Sequence, residues 1–409
     1  MGSLDTEVLL IMLCSLVVLS YLFSILSRYI RVPSVLLLLF AGIAFRFLAD
    51  RYQVPIAIPE NIVEALGVVG LIMIVLEAGL DLRLGREKLK MIRNSFLSAL
   101  VILILSAALV TAILQYWLGE SLEKCLAYAI PLSIMSSSVV IPSIHPLSEP
   151  KKEFLVYEAS FSDILGILAF NYFTAGNVLS WKSAGMFGVN LVVSVVLSLL
   201  LSFLLFLILA KVRMNIKFFL ILALLVLIYT GGKMMHLPSL IIILVFGLMI
   251  NNWDKIRVPL LQRYFPAGRV MALRDLLHSI TAESSFLVRT FFFLLFGFSI
   301  TLQFLTQTEI VLVGSLIVAA LFLVRLLYLK FFLRTNVFPE SFFIPRGLIT
   351  IVLFYKIPAS LRLDNFSDGI LFYLVLVTSL IMALGMICYR KGPEEVVEES
   401  PFTERPDIL

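Results

Sequence analysis

Val32-Pro33-Ser34-Val35-Leu36-Leu37-Leu38-Leu39-Phe40-Ala41-Gly42 has a counterpart far along the chain in Leu237-Pro238-Ser239-Leu240-Ile241-Ile242-Ile243-Leu244-Val245-Phe246-Gly247. Proline, serine and glycine keep the same mutual spacing around an uncharged apolar run. The whole chain is of that character: 61% of its 409 residues are hydrophobic, 14% are charged, and the mean hydropathy is +1.05. Soluble domains hold roughly 45–50% apolar and about 25% charged residues. The composition therefore specifies an all-α polytopic membrane protein. An outer-membrane barrel is excluded, because its strands alternate in polarity rather than run apolar.

A spanning helix needs about 20 apolar residues. Thirteen spans fit, at 6–27, 32–50, 61–80, 95–118, 124–146, 153–176, 185–210, 216–232, 237–251, 281–301, 309–333, 342–357 and 366–389. With the N-terminus outside, the inner loops and the C-terminal tail carry 22 of the 32 Lys and Arg, the outer segments seven, and the spans three, Arg289, Arg325 and Arg346. The positive-inside rule favours that orientation, with a cytoplasmic C-terminus, and an odd number of spans. Under it the Pro-Ser-Gly runs cross in opposite senses, as an inverted repeat requires. Residues 269–278 look amphipathic and are expected to lie on the membrane surface. The acidic, proline-containing tail 390–409 is expected to be disordered.

The repeat pairs span 5 with span 12, and both carry helix breakers. Span 5 contains Pro131, Ser136-Ser137-Ser138 and Pro142-Ser143; span 12 contains Pro345-Arg346-Gly347 and Thr350. Broken helices at matching positions of two halves mark the substrate site of a transporter. Their free backbone groups and dipole ends face ions instead of lipid. A single proline would mean a simple kink. Two breaks at symmetric positions, both beside small or polar residues, point to function.

Span 6 reads Phe154-Leu-Val-Tyr-Glu158-Ala-Ser-Phe-Ser162-Asp163-Ile-Leu-Gly166-Ile-Leu-Ala-Phe170. A charge at that depth costs roughly 2.5–3.5 kcal/mol on insertion scales, and a proton or a cation can each neutralise it. Asp163 is the expected ligand for both, with Ser162, Ser136, Ser137 and Ser138 offering hydroxyl oxygens. One serine in a membrane helix more often bonds back to its own helix, but three beside a break are less ordinary. Glu158 precedes Asp163 by five residues, about 140° around the helix, so it needs its own partner. Arg325 lies at similar depth in span 11, and a Glu158–Arg325 ion pair is expected to be structural. Glu77 and Arg289 are accessory candidates, either as a pair across the two halves or with Glu77 attracting cations at the mouth. Arg346 is expected to compensate the dipole ends at the span 12 break.

On these residues the chain resembles the monovalent cation:proton antiporter superfamily, of the thirteen-helix sodium/proton exchanger type, over nearly its whole length. Pro33-Ser34 with Gly42 resembles the second-helix motif. Glu158-Ala-Ser-Phe-Ser162-Asp163 resembles the Glu…Asn-Asp motif, and residues 291–297, Arg325 and Arg346-Gly347 resemble later signatures. The resemblance implies two six-helix inverted repeats joined by helix 7, with the discontinuous helices 5 and 12 crossing at the site. It implies a dimerisation domain from 1–94 and 215–305, a core from 95–180 and 306–389, and a linker helix at 181–214. A homodimer whose core moves in an elevator-like manner follows from the same resemblance. Two features depart from the electroneutral branch: Ser162 replaces its Asn, and Ser136-Ser137-Ser138 stands where it has Thr-Asp-Pro. A single titrating carboxylate fits one-for-one exchange.

The expected activity is exchange of protons for a monovalent cation, Na+ before K+ or Li+, in the service of pH homeostasis, without a cofactor or nucleic acid. In a bacterium the location would be the inner membrane. A sodium-coupled symporter or channel-like carrier on the same scaffold is the alternative. An enzyme is not expected: His145, His236 and His278 show no nucleophile or metal spacing, and Cys14, Cys125 and Cys388 show no disulfide framework.

Overall fold

The computed structural model describes residues 6–30, 32–52, 60–82, 88–174, 218–234, 239–255, 267–300, 307–333, 338–363 and 366–389, with Gly85 and scattered positions between 189 and 204. These residues are all-α, with no strand among them. The helices are α1 (Thr6–Ile30), α2 (Ser34–Arg51), α3 (Glu60–Asp81), α4 (Leu89–Leu118), α5 (Leu122–Ser133) and α6 (Ser137–Val140). They continue as α7 (Glu149–Thr174), α8 (Phe218–Met234), α9 (Ser239–Asn251) and α10 (Ala267–Ser299). The last three are α11 (Thr308–Tyr328), α12 (Leu348–Tyr355) and α13 (Asp368–Cys388).

Among the described residues, five helical stretches are long and apolar enough to cross a bilayer: Leu89–Leu118, Leu122–Ser143, Val270–Ser299, Thr308–Phe332 and Asp368–Cys388. The expected linker helix at 181–214 lies mostly outside the described residues, and the tail from 390 lies wholly outside them.

Local chemistry sets several helix ends. Gly119 ends α4 in the left-handed region, φ +66°, where a side chain is strained, and its N–H reaches Gln115 O at 2.9 Å. The Ser367 hydroxyl caps α13 by accepting from Gly369 N at 3.3 Å. α11 runs into a π-helical turn at Leu329–Leu333.

The structure fixes three helix boundaries. The amphipathic stretch 269–278 forms the first turns of α10, which runs unbroken for 33 residues. No glycine or proline interrupts it between 270 and 296, so the helix propagates. The break in span 5 falls at Ile134–Ser136, between α5 and α6, beside the three serines. Span 12 is helical only over Leu348–Tyr355, because Phe343–Gly347 is non-helical.

The two Pro-Ser-Gly runs begin α2 and α9, and their glycines sit at backbone-to-backbone crossings. A Cβ on Gly42 would lie 2.8 Å from Phe298 N and 2.9 Å from Gly297 Cα, so α2 crosses α10 backbone to backbone. A Cβ on Gly247 would lie 3.0 Å from Gly79 Cα, so α9 crosses α3 in the same way. Elsewhere α4, α5, α7, α11 and α13 pack around a shared apolar core that includes Val110, Ala129, Leu155, Ile317 and Leu374.

Candidate functional site

Both broken spans leave backbone groups unspent near the middle of the bundle. Ile134–Ser136 and Phe343–Gly347 are the two non-helical stretches, and they touch: Ser136 N donates to Pro345 O at 3.0 Å. Gly347 makes the approach possible. A Cβ there would sit 2.8 Å from Val139 Cγ2 and 2.9 Å from Ser136 Cβ, and closer still to Ser136 Oγ. Gly166 does the same on α7, where a Cβ would overlap the Ile134 side chain. Two small residues thus let α7 and span 12 close around the α5–α6 break.

Asp163 projects into this crossing from α7 and is 3% exposed. Its Oδ2 accepts from Ser137 N at 3.2 Å, the first amide of α6. Its Oδ1 is buried and has no hydrogen-bond partner among the described residues. A buried carboxylate oxygen with an unspent lone pair is costly. A proton or a cation bound to it would remove that cost.

The serines divide. Ser137 touches Asp163 through its backbone amide. Ser136 and Ser138 bond each other, Oγ to Oγ at 2.8 Å. Ser162 does not join its neighbour: its Oγ accepts from Met135 N at 2.9 Å and so satisfies a backbone group freed by the break. It lines a small cavity with room for about one water, together with Ser133, Met135, Glu158, Arg325 and Arg346.

Glu158 faces the other way, as its helical angle from Asp163 requires. Arg325 grips it with Nη1 to Oε1 at 3.1 Å and Nη2 to Oε2 at 2.8 Å, and Ser98 Oγ donates to Oε1. Arg325 Nε spends its proton on Glu340 O at 2.6 Å. All five oxygens and nitrogens of the pair are bonded, which is the condition for burying it without a large penalty. The network joins α4, α7, α11 and the segment before α12. Ser98 and the Glu340 carbonyl were not foreseen. Ser95 and Ser98 are spaced i, i+3 in an otherwise apolar run, and that stripe was the available signal.

Among the described residues Arg346 has no acidic partner. Its Nε donates to Leu132 O at 2.6 Å and its Nη1 to Ile344 O at 3.1 Å, while its own amide reaches Thr378 Oγ1 at 3.1 Å. The guanidinium was expected to serve the ends of span 12. Through Ile344 O it stays on the span 12 break, and the crossing also carries it to the open carbonyl end of α5, where the positive charge suits that helix C-terminus. Glu77 and Arg289 approach to 3.8 Å, a long ion pair between α3 and α10 and away from Asp163.

A sequence profile described as sodium/hydrogen exchanger, transmembrane, matches residues 15–388. Among curated proteins the sequence finds no match. Among solved structures, the sodium proton antiporter MjNhaP1 from Methanocaldococcus jannaschii at pH 8 aligns with a TM-score of 0.66 at 18% identity, over 94% of this chain and 98% of that one. A structure of the same antiporter from an electron-microscopy map aligns with a TM-score of 0.64 at 17% identity, over 95% and 100%. At that identity the likeness is one of fold.

Proposed function

From two premises, that the chain belongs to the transmembrane sodium/hydrogen exchanger family and that it buries a carboxylate at a crossing of broken helices, we propose a secondary antiporter exchanging protons for a monovalent cation, Na+ first. The observation that carries the reading is the Oδ1 of Asp163, buried and without a hydrogen-bond partner among the described residues, where the two breaks meet. Proton and cation compete for that oxygen, and occupancy by either lets the site cross the membrane. Glu158 takes no part in the competition, since Arg325 and Ser98 hold both its oxygens. One exchanging carboxylate then gives one-for-one, electroneutral exchange.

The hydroxyls of Ser137, Ser138 and Ser136 complete the cation's shell once the Ser136–Ser138 bond opens, and Ser162 keeps the break in place. The moving core comprises 95–180 and 306–389, the dimerisation scaffold 1–94 and 215–305, and the linker 181–214. The backbone-close crossings of α2 on α10 and α3 on α9 support a rigid scaffold. The N-terminus is outside and the tail in the cytoplasm, by the distribution of Lys and Arg.

Purified protein in vesicles loaded with a pH-sensitive dye tests this directly. Na+, K+ and Li+ added separately should each report whether protons leave as cations enter. Asp163→Asn should abolish the signal while the protein stays folded. Retained pH-dependent exchange in that variant would sink the assignment of Asp163. Sodium uptake without proton counter-movement would favour a symporter.

A further inference from the structure

Between α12 and α13 of the proposed core and α3 and α10 of the scaffold, the described contacts are apolar. Leu348 and Val352 of α12 face Gly70 and Gly67 of α3, Val288 of α10 also lies against Gly70, and Phe296 of α10 meets Phe372 of α13 at 6.1 Å between ring centroids. Such surfaces slide without breaking directional bonds. One side-chain hydrogen bond between described residues ties α12 to the scaffold, Lys356 Nζ donating to Tyr229 OH at 2.6 Å; the other that crosses the division, Lys88 Nζ to Glu153, lies at the N-cap of α4. Tyr229 is a buried residue of α8, 6% exposed. Lys356 is the C-cap of α12, the half-helix whose other end, Gly347, lies against the crossing. The ammonium also suits the carbonyl end of α12. Displacing α12 along α3 and α10 pulls Lys356 from Tyr229, while the apolar contacts are exchanged for others of the same kind.

We propose that Lys356 and Tyr229 form a positioning pair, a latch that holds the core at one end of its travel and so sets the populations of the two transport states. This rests on the antiporter reading and adds a determinant remote from Asp163. A bond of this kind biases a two-state equilibrium by about two- to ten-fold. The apparent affinity on each face scales with the fraction of molecules open to that face. Loosening the latch must therefore move the two faces in opposite directions, which a merely structural contact would not do.

The test is the apparent KM for Na+ in right-side-out and inverted vesicles, for Tyr229→Phe, Lys356→Gln and the double variant. Each single change should raise KM on one face and lower it on the other, about two- to ten-fold in total, and the double variant should match the singles. The two substitutions reach the same bond from opposite sides, so a folding failure in one leaves the other informative. KM unchanged on both faces, movement of both in the same direction, or additive effects in the double variant would overturn the latch. Absence of exchange in the unmodified protein would instead overturn the antiporter reading.

Discussion

Two carboxylates five residues apart on α7 have opposite fates. Glu158 is 1% exposed and fully bonded to Arg325 and Ser98; Asp163 is 3% exposed and half-bonded. Removing one member of a buried ion pair costs about 3–5 kcal/mol, because the other charge is left uncompensated. Glu158→Gln and Arg325→Met should each lower thermal stability on that scale. The double variant Glu158→Leu/Arg325→Met should lose clearly less than the sum, as melting with a thiol-reactive dye would read. The pairing was legible from sequence, since two intramembrane charges of opposite sign at like depth have few other solutions. Ser162 was not. Its neighbour in sequence is Asp163, but its hydroxyl turns to Met135 N, a group exposed only by where the α5–α6 break falls.

At the scale of elements, glycines decide how closely helices meet. Gly347→Ala would press a methyl against Ser136 and Val139 and part the two breaks, so transport should fall several-fold with little change in folding. Gly166→Ala would overlap Ile134, a flexible side chain, and Ile134→Ala in the same chain should restore much of the lost activity. Gly42→Val differs, because it meets the α10 backbone at Leu294, Gly297 and Phe298, which cannot yield. It should destabilise by more than about 2 kcal/mol without a compensating single change, measured as lost monodisperse protein on heating. The periodic Pro-Ser-Gly runs announced these helices, but only the packed structure names the backbone on the other side.

For the whole molecule, the charge asymmetry makes a topological prediction. A protease added outside should remove a C-terminal tag only from inverted vesicles, and digestion in right-side-out vesicles would reverse the proposed orientation. Class, helix positions and the sites of interruption were legible from composition and from breakers. Helix continuity was less so: residues 269–278 look amphipathic alone, yet α10 carries them onward, and His278 bonds Asp81 of α3 at 2.9 Å. Local polarity gave no sign of that continuity or of that partner.

Composition and pattern along the chain settled that it lives in a bilayer, where most of its described helices run, and which intramembrane charges need a partner. Those follow from the cost of charge and backbone in lipid, which acts residue by residue. Tertiary structure alone decided that Arg346 serves the end of α5, that Ser162 serves the break rather than Asp163, and that Lys356 reaches Tyr229. Each depends on which freed carbonyl, amide or hydroxyl a crossing brings within about 3 Å of a side chain, a distance no spacing along the chain records.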